Sequence, residues 1–257
     1  MTDQLIETLE RAQAQTWWLP DSAVMYEGDE HCLYRLKGRY YIVRFEPKPG
    51  EEWALLSELL TIVGDAPVRF TYLPHRHKDA TVEALHRAGF HPNHCYEGRV
   101  IEVERYHRAS SEGVEVKMVT TFEEMRTIYE LRRQVFGSAE PEPEVHLRRY
   151  LREATSQPPR VRQFLAIDST NGQAMSQAGM SIFPELRFSF LFAGGTLERA
   201  RGRGAYTTLV AARVEYARSI GLSHVGLFAR ADTSAPIVSR QGFMRHGEMQ
   251  DWNLNWR

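Results

Sequence analysis

The stretch Phe188-Ser-Phe-Leu-Phe-Ala-Gly-Gly-Thr-Leu-Glu-Arg-Ala-Arg-Gly-Arg-Gly-Ala-Tyr206 decides how the rest of this chain is read. The apolar, unusually aromatic run from Phe188 to Ala193 predicts a strand ending at Gly194-Gly195. The loop Arg199-Ala-Arg-Gly-Arg-Gly-Ala205 then runs without a break into a helix from Gly204 to Ile220, with Tyr206, Leu209, Val210, Tyr216 and Ile220 on one broad face and Gly221 as the stop. Glycines at 202 and 204 let the backbone approach a bulky anion, and the first helical turn presents amides that have no internal partner. Such donors suit a diphosphate. Arginines at 199, 201 and 203 either solvate a helix start or, because they oppose the positive end of the helix dipole, call for an anion there. The Gly194-Gly195 pair reads as a strand bulge, as the point where a sheet splays to admit a ligand, or as both.

Outward from this stretch the second half reads as alternating strand and helix. Val114, Val116 and Met118 alternate as a half-buried strand does, and Thr121-Phe-Glu-Glu124 is a capping box for the helix that follows. A second helix is expected from Pro141 to about Ala154, a strand from Val161 to Ile167, a turn at Asp168-Ser-Thr-Asn-Gly172 and a strand from Ala174 to Phe183. After the central helix come a strand at Val225 to Ala229, a short helix at Ser234 to Arg240 and a final strand. The order is βααβββαβαβ.

Part of the pattern recurs upstream. Glu51 to Val63 reads as a helix, Pro67 to Leu73 as a strand and Thr81 to Ala88 as a helix, and His-Arg-Ala-Gly-Phe90 parallels Ser-Arg-Gln-Gly-Phe243. A duplicated domain accounts for the shared helix, strand, helix, Gly-Phe order. The polar segment Arg108-Ala-Ser-Ser-Glu-Gly113 divides the chain into domains at 1–108 and 114–257, in keeping with a length of 257 residues.

Composition narrows the function classes. Lys+Arg 32 against Asp+Glu 33 gives a net charge of -1, which argues against nucleic-acid or anionic-membrane partners. Two cysteines, the polar start MTDQLIETLERAQ and the lack of any apolar run near the roughly 18 residues of a membrane span predict a soluble cytoplasmic protein. The spacings His75-x-His77 and His91-x-x-His94-Cys95 are usable by a metal, but no cluster completes a tetrahedral set, so no metal is expected. Trp17-Trp18 and Tyr40-Tyr41 are expected to pack the first core.

The glycine-rich loop resembles that of the GNAT superfamily of acyl-coenzyme A-dependent N-acyltransferases, written Arg/Gln-x-x-Gly-x-Gly/Ala, and the segment Gly194 to Tyr206 matches it closely. A dinucleotide fold would place such a loop after its first strand, whereas this one follows the fourth. The resemblance runs through Phe243 and covers most of residues 114–257, while residues 1–108 resemble a degenerate copy. It implies an α/β fold of two tandem domains, each a central mixed sheet flanked by helices. It also implies acetyl-CoA as co-substrate, with Gly194, Gly195 and Thr196 pairing with pantetheine. The diphosphate would lie on Arg199, Ala200, Arg201, Gly202, Arg203, Gly204 and Ala205. Arg240 either serves the ribose phosphate or solvates its helix end.

The activity so implied is acetyl transfer to the primary amine of a small-molecule acceptor by direct attack; the alternative is a non-catalytic acyl-CoA sensor. Deprotonating an amine of pKa about 10.4 at pH 7 costs about 4 to 5 kcal/mol, so a base or water chain helps. A strand amide near Gly195 is placed to stabilise the oxyanion. The superfamily's usual tyrosine acid is Val238 here, its asparagine is Ala231, and the proline after the strand is Glu198. Ser234 and Ser239 are the nearest hydroxyl replacements, and Glu185 and Asp232 are candidate bases. The acids of Glu140-Pro-Glu-Pro-Glu144 either attract a cationic acceptor or favour a helix start. Phe45-Glu-Pro-Lys-Pro-Gly-Glu-Glu52 stands where the first copy would carry its loop; its prolines and acids do not suit a diphosphate, so one coenzyme per chain is expected. The protein is expected as a monomer or homodimer.

Overall fold

The computed structural model of the chain describes residues 2–17, 19, 22–107, 111–137 and 141–255. The chain forms two compact units, each discontinuous in sequence. The larger comprises Met1–Ala12, Arg99–Phe228 and Pro236–Arg245, and the smaller comprises Gln13–Gly98, Ala229–Ala235 and His246–Arg257. Residues 108–110 of the segment read as a domain boundary lie outside the described residues.

The first half contains α1 (Thr2–Gln13), β1 (Val24–Glu27), β2 (His31–Leu36), β3 (Arg39–Phe45), α2 (Glu52–Val63), β4 (Val68–Tyr72), α3 (Asp79–Arg87) and β5 (His91–Glu102). The second half contains β6 (Val114–Met118), α4 (Phe122–Phe136), α5 (Glu144–Thr155), β7 (Val161–Asp168), β8 (Ala174–Phe183), β9 (Phe188–Thr196), α6 (Ala205–Ser219), β10 (His224–Arg230), α7 (Ser234–Arg240) and β11 (Met244–Leu254). The order expected for this half is present throughout. Thr121 and Glu124 make the expected capping box, each side chain taking the other's backbone amide. Helix α5 begins at Glu144 rather than Pro141, because the residue before Pro143 is pushed out of the helical region and Pro143 itself is extended.

In the larger unit β6, β7, β8 and β9 form an antiparallel meander, and α6 carries the chain back so that β10 lies parallel to β9. Leu209, Val210 and Val214 of α6 are fully buried, each stabilising the unit by about 1.5 to 3 kcal/mol. Ile6, Leu9 and Ala12 of α1 pack here too, against Val100, Phe183, Phe188 and Phe190. The smaller unit is likewise mixed: β1, β2 and β3 are antiparallel, β4 is parallel to β3, and the chain's last strand, β11, is antiparallel to β4. Its core joins α2 and α3 to the sheet through Leu56, Leu59, Phe70, Leu85, Phe90 and Trp252.

The repeated Gly-Phe segments have matching geometry. Gly89 and Gly242 both have positive φ, 83° and 90°, and the amides of Phe90 and Phe243 reach back to the carbonyls of Leu85 and Val238. Both rings are buried. Among the described residues no helix is long and apolar enough to cross a membrane.

Candidate functional site

Strands β9 and β10 pair at three positions, Phe188 with His224, Ser189 with Val225 and Phe190 with Gly226. Beyond these the pair parts while β9 continues to Thr196 and β10 to Arg230. Backbone donors and acceptors on the facing edge of β9 are therefore not used by β10. Strand β9 also runs through the glycine pair rather than stopping at Ala193. Its irregularity is a bulge, in which Ala193 and Gly194 stand opposite the single residue Ala178, between the pairs Gln177↔Gly195 and Gly179↔Phe192. Ala193 has φ 48°, a strain of roughly 1 to 2 kcal/mol for a residue with a side chain.

Side chains of β8 hold this end of β9. Gln177 Nε2 donates to the Ala193 carbonyl at 2.6 Å, and Ser176 Oγ donates to the Gly195 carbonyl at 2.7 Å. Gly194 and Gly195 are required by packing: a Cβ at 194 would stand 2.8 Å from the ring of Tyr206, and one at 195 would stand 2.7 Å from Val135.

After Thr196 a 3-10 turn carries Arg199 and Ala200, and Arg201, Gly202 and Arg203 form the loop. Gly204 is the N-cap of α6 at φ 77°, and Ala205 is its first residue. No side chain caps this helix end, and among the described residues the amides of Gly202 to Ala205 have no backbone acceptor. The three arginines differ. Arg203 Nη2 donates to Asp168 Oδ2 at 2.7 Å, fastening the loop to the end of β7. Hydrogen bonds from the Thr170 hydroxyl and amide, with that from Arg203, hold the Asp168 carboxyl down at about 2. Arg199 and Arg201 are exposed and have no ion-pair partner among the described residues.

The fit to a coenzyme A rests on this geometry: an edge of β9 that β10 does not pair with, and, at a helix N-terminus, a run of amides without a backbone acceptor and two exposed guanidinium groups without an ion-pair partner among the described residues. Acid groups are absent from the loop between Arg199 and Ala205.

Other expected residues are distributed as follows. Ser234 opens α7, while Ser239 and Arg240 lie in its last turn, about 8 to 9 Å further along at 1.5 Å per residue. Ser239 Oγ accepts from Arg99 at 3.3 Å. Arg240 is exposed. Glu185 is exposed in the turn between β8 and β9, at the start of β9. The eight steps from Phe188 to Thr196 span about 26 Å, so the structure does not bring Glu185 to the loop. Asp232 is held by Arg230 through two bonds of 3.0 and 2.6 Å, and the first effect of that pairing is to lower its pKa. Val238 is fully buried. Of the proline-spaced acids, Glu140 lies outside the described residues; Glu142 meets His146 at 2.8 Å and Glu144 meets Arg148 at 2.5 Å. Trp18 also lies outside the described residues, Tyr40 joins the smaller core, and Tyr41 stacks on Tyr34.

Sequence reading missed the polar cluster behind the bulge. Arg132 of α4 donates Nε to Gln177 Oε1 at 2.9 Å and Nη2 to Gln163 Oε1 at 2.7 Å. Both glutamines are buried. Their signal was available, since Gln163 and Gln177 stand in strands made mostly of apolar residues.

The smaller unit repeats the parting strands and fills the gap. Strands β3 and β4 pair at Tyr40↔Val68, Tyr41↔Arg69 and Ile42↔Phe70, and then diverge. There His77 bridges the two: its Nδ1 accepts from the Leu73 amide at 2.9 Å, and its Nε2 donates to the Phe45 carbonyl at 3.1 Å. Burial, with some contribution from Arg76, pushes its pKa down to about 4 against the lift from the Phe45 bond, so the ring is neutral. A cavity of about 320 Å³ beside it is lined by Glu46, Pro47, Glu52, Arg76 and Lys78 among others, a mixed-charge rim. No cluster of metal-ligating groups occurs among the described residues.

The fold is that of the GCN5-related N-acetyltransferases in tandem form, as its structural neighbours show. It is similar to a GCN5-related N-acetyltransferase from Kribbella flavida, with TM-score 0.67, 15% identity and 95% of each chain covered. A GCN5-related N-acetyltransferase from Sphaerobacter thermophilus gives TM-score 0.69 at 15% identity, over 98% of this chain and 90% of that one. A tandem GNAT protein from the clavulanic acid biosynthesis pathway gives 0.62 at 14% identity, over 91% and 84%. By sequence, no family model and no curated protein matches.

Proposed function

We propose that the larger unit binds acetyl-CoA and transfers the acetyl group to the primary amine of a small molecule. The observation that carries this reading is the parting of β9 from β10 directly before an arginine-bearing loop whose amides have no backbone acceptor among the described residues. The open edge of β9 suits the amide-containing arm of the coenzyme, and the loop amides with Arg199 and Arg201 suit its phosphates. Arg203 serves the loop's shape through Asp168. The coenzyme supplies an activated thioester. The amine lone pair forms the new C–N bond, the C–S pair leaves on sulfur as thiolate, and the amine proton passes through water to solvent or to that thiolate. Alignment at the site supplies most of the acceleration.

A second reading, a non-catalytic acyl-CoA sensor, draws on one observation: the position of the superfamily's tyrosine acid is the fully buried Val238, which has no proton to give. A thiol leaving group of pKa near 8 to 9 departs without much help, so the first reading is preferred. Acetyl-CoA at a hundred times its Kd should stabilise the larger unit by about 2.7 kcal/mol, read as a higher Tm. No shift would refute both readings. Free-thiol release across an amine panel then separates them, and binding without release for any amine favours the sensor.

A further inference from the structure

We infer that Arg132, acting through Gln177, is a positioning residue for the acyl thioester, an inference that rests on the acyl-CoA reading above. Gln177 is fully buried and each end of its amide is committed. Arg132 has only donors, so Gln177 must turn its oxygen to the guanidinium; that leaves its NH₂ for the Ala193 carbonyl. The amide orientation is thus dictated from both sides, and the chain of donors runs one way, from the cation to the bulge. Gln163 takes a second arm of Arg132, so the guanidinium is held at two points. Gly179 clears the space: a Cβ there would stand 2.4 Å from Phe192 and 2.9 Å from Gln163 Oε1.

The carbonyl of Ala193 and the amide of Gly194 belong to one planar peptide group. A hydrogen bond to the carbonyl fixes the plane of that peptide and, by polarising it, makes its N–H a stronger donor. Ala193 does not favour positive φ by itself, so the bulged conformation needs an external hold. Gln177 supplies that hold, and Arg132 supplies both its orientation and a positive charge behind it. The bulge lies on the part of β9 that β10 has left, where the thioester would be aligned.

The critical variant is Gln177→Glu. A carboxylate keeps the Arg132 contact, and with it any purely structural tie between α4 and the sheet, but it cannot donate to the Ala193 carbonyl. The full chain is titrated with coenzyme A by calorimetry, and the infrared carbonyl band of bound [1-¹³C]acetyl-CoA is recorded. In the wild type the band should lie at lower wavenumber than in free acetyl-CoA. In Gln177→Glu it should return to the free position, kcat should fall about 100-fold, and coenzyme A affinity should stay within about threefold. Arg132→Lys, a change on a half-buried helix position, should give an intermediate band, and this second variant keeps the test open should Gln177→Glu fail to fold. Wild-type bands in both variants would overturn the relay, as would a wild-type protein that binds acetyl-CoA without moving the band. Failure of the wild type to bind acetyl-CoA at all would instead remove the acyl-CoA reading, and this inference with it.

Discussion

Arg203 and Asp168, 35 residues apart, meet at 2.7 Å and fasten the glycine-rich loop to the end of β7. The carboxylate is also held by Thr170 and Asn171, so the anchor is itself anchored. With its pKa lowered to about 2, Asp168 stays ionised throughout the physiological range. Replacing it as Asp168→Asn frees Arg203 and loosens the loop. Calorimetry should show coenzyme A affinity reduced roughly two- to fivefold, the upper range of a lost half-exposed ion pair. An unchanged Kd would mean that the loop holds its shape without the clamp.

Arg199 and Arg201, without ion-pair partners among the described residues, should behave differently. Arg199→Ala and Arg201→Ala should each weaken coenzyme A binding roughly fivefold at low ionic strength. Raising salt should shrink the difference from wild type, because exposed charge contacts are screened over about 10 Å at 0.1 M. Equal salt dependence in variant and wild type would show that neither guanidinium meets a phosphate.

Gly204 carries two constraints and Gly202 carries one. Both have positive φ, 77° and 75°, but only at Gly204 would a Cβ meet another group, lying 1.8 Å from Ser111 Oγ. Gly202→Ala should therefore cost about 1 kcal/mol of stability, and Gly204→Ala more. Gly202→Glu and Gly204→Glu should abolish coenzyme A binding by charge and bulk. Denaturation midpoints and binding titrations on the four variants test the order, and a Gly204→Glu protein that still binds would move the site elsewhere.

His77 makes the smaller unit acid-sensitive. Its pKa is about 4 in the folded unit against 6.5 ordinarily, so the unfolded chain binds more protons between these values and stability must rise with pH across that window. The contribution is complete above about pH 6.5 and falls away as pH drops toward 4, a loss of about 3 kcal/mol. His77→Leu should remove this pH dependence while lowering stability at pH 7, because the Leu73 amide and Phe45 carbonyl lose their partner. Urea denaturation at pH 4.5 and 7 distinguishes the two proteins; equal slopes would refute the role.

The same histidine bears on stoichiometry. The parted strands of the smaller unit are bridged by an imidazole, whereas among the described residues no hydrogen bond joins β9 to β10 beyond Phe190 and Gly226. Titration calorimetry should return one coenzyme A per chain, and two would show that His77 is displaced by ligand.

Much of the second half was legible because its signals are local. Thr121 and Glu124 stand three residues apart, the Asp168 turn closes within five residues, and Gly221 stops its helix at once. In the first half Gly28 and the positive-φ pair Lys37-Gly38 mark the turns between β1, β2 and β3, a signal the sequence reading did not use. The bulge was expected at the glycines but includes Ala193, since a strained φ at a residue with a side chain is imposed by partners such as Gln177 and leaves no mark in the adjacent sequence.

The sequence by itself determined the succession of elements in the second half and the chemistry of the loop from Arg199 to Ala205. Alternation, helical spacing and glycine's tolerance of positive φ act over a few residues. Only the tertiary structure decided that β11 pairs with β4, that His77 bridges one pair of parting strands, and that among the described residues Arg203, of the loop's three arginines, is the one engaged by a carboxylate. Those outcomes join residues tens to hundreds of positions apart, where the choice among equally suitable partners is made by packing and by which polar groups must be satisfied on burial.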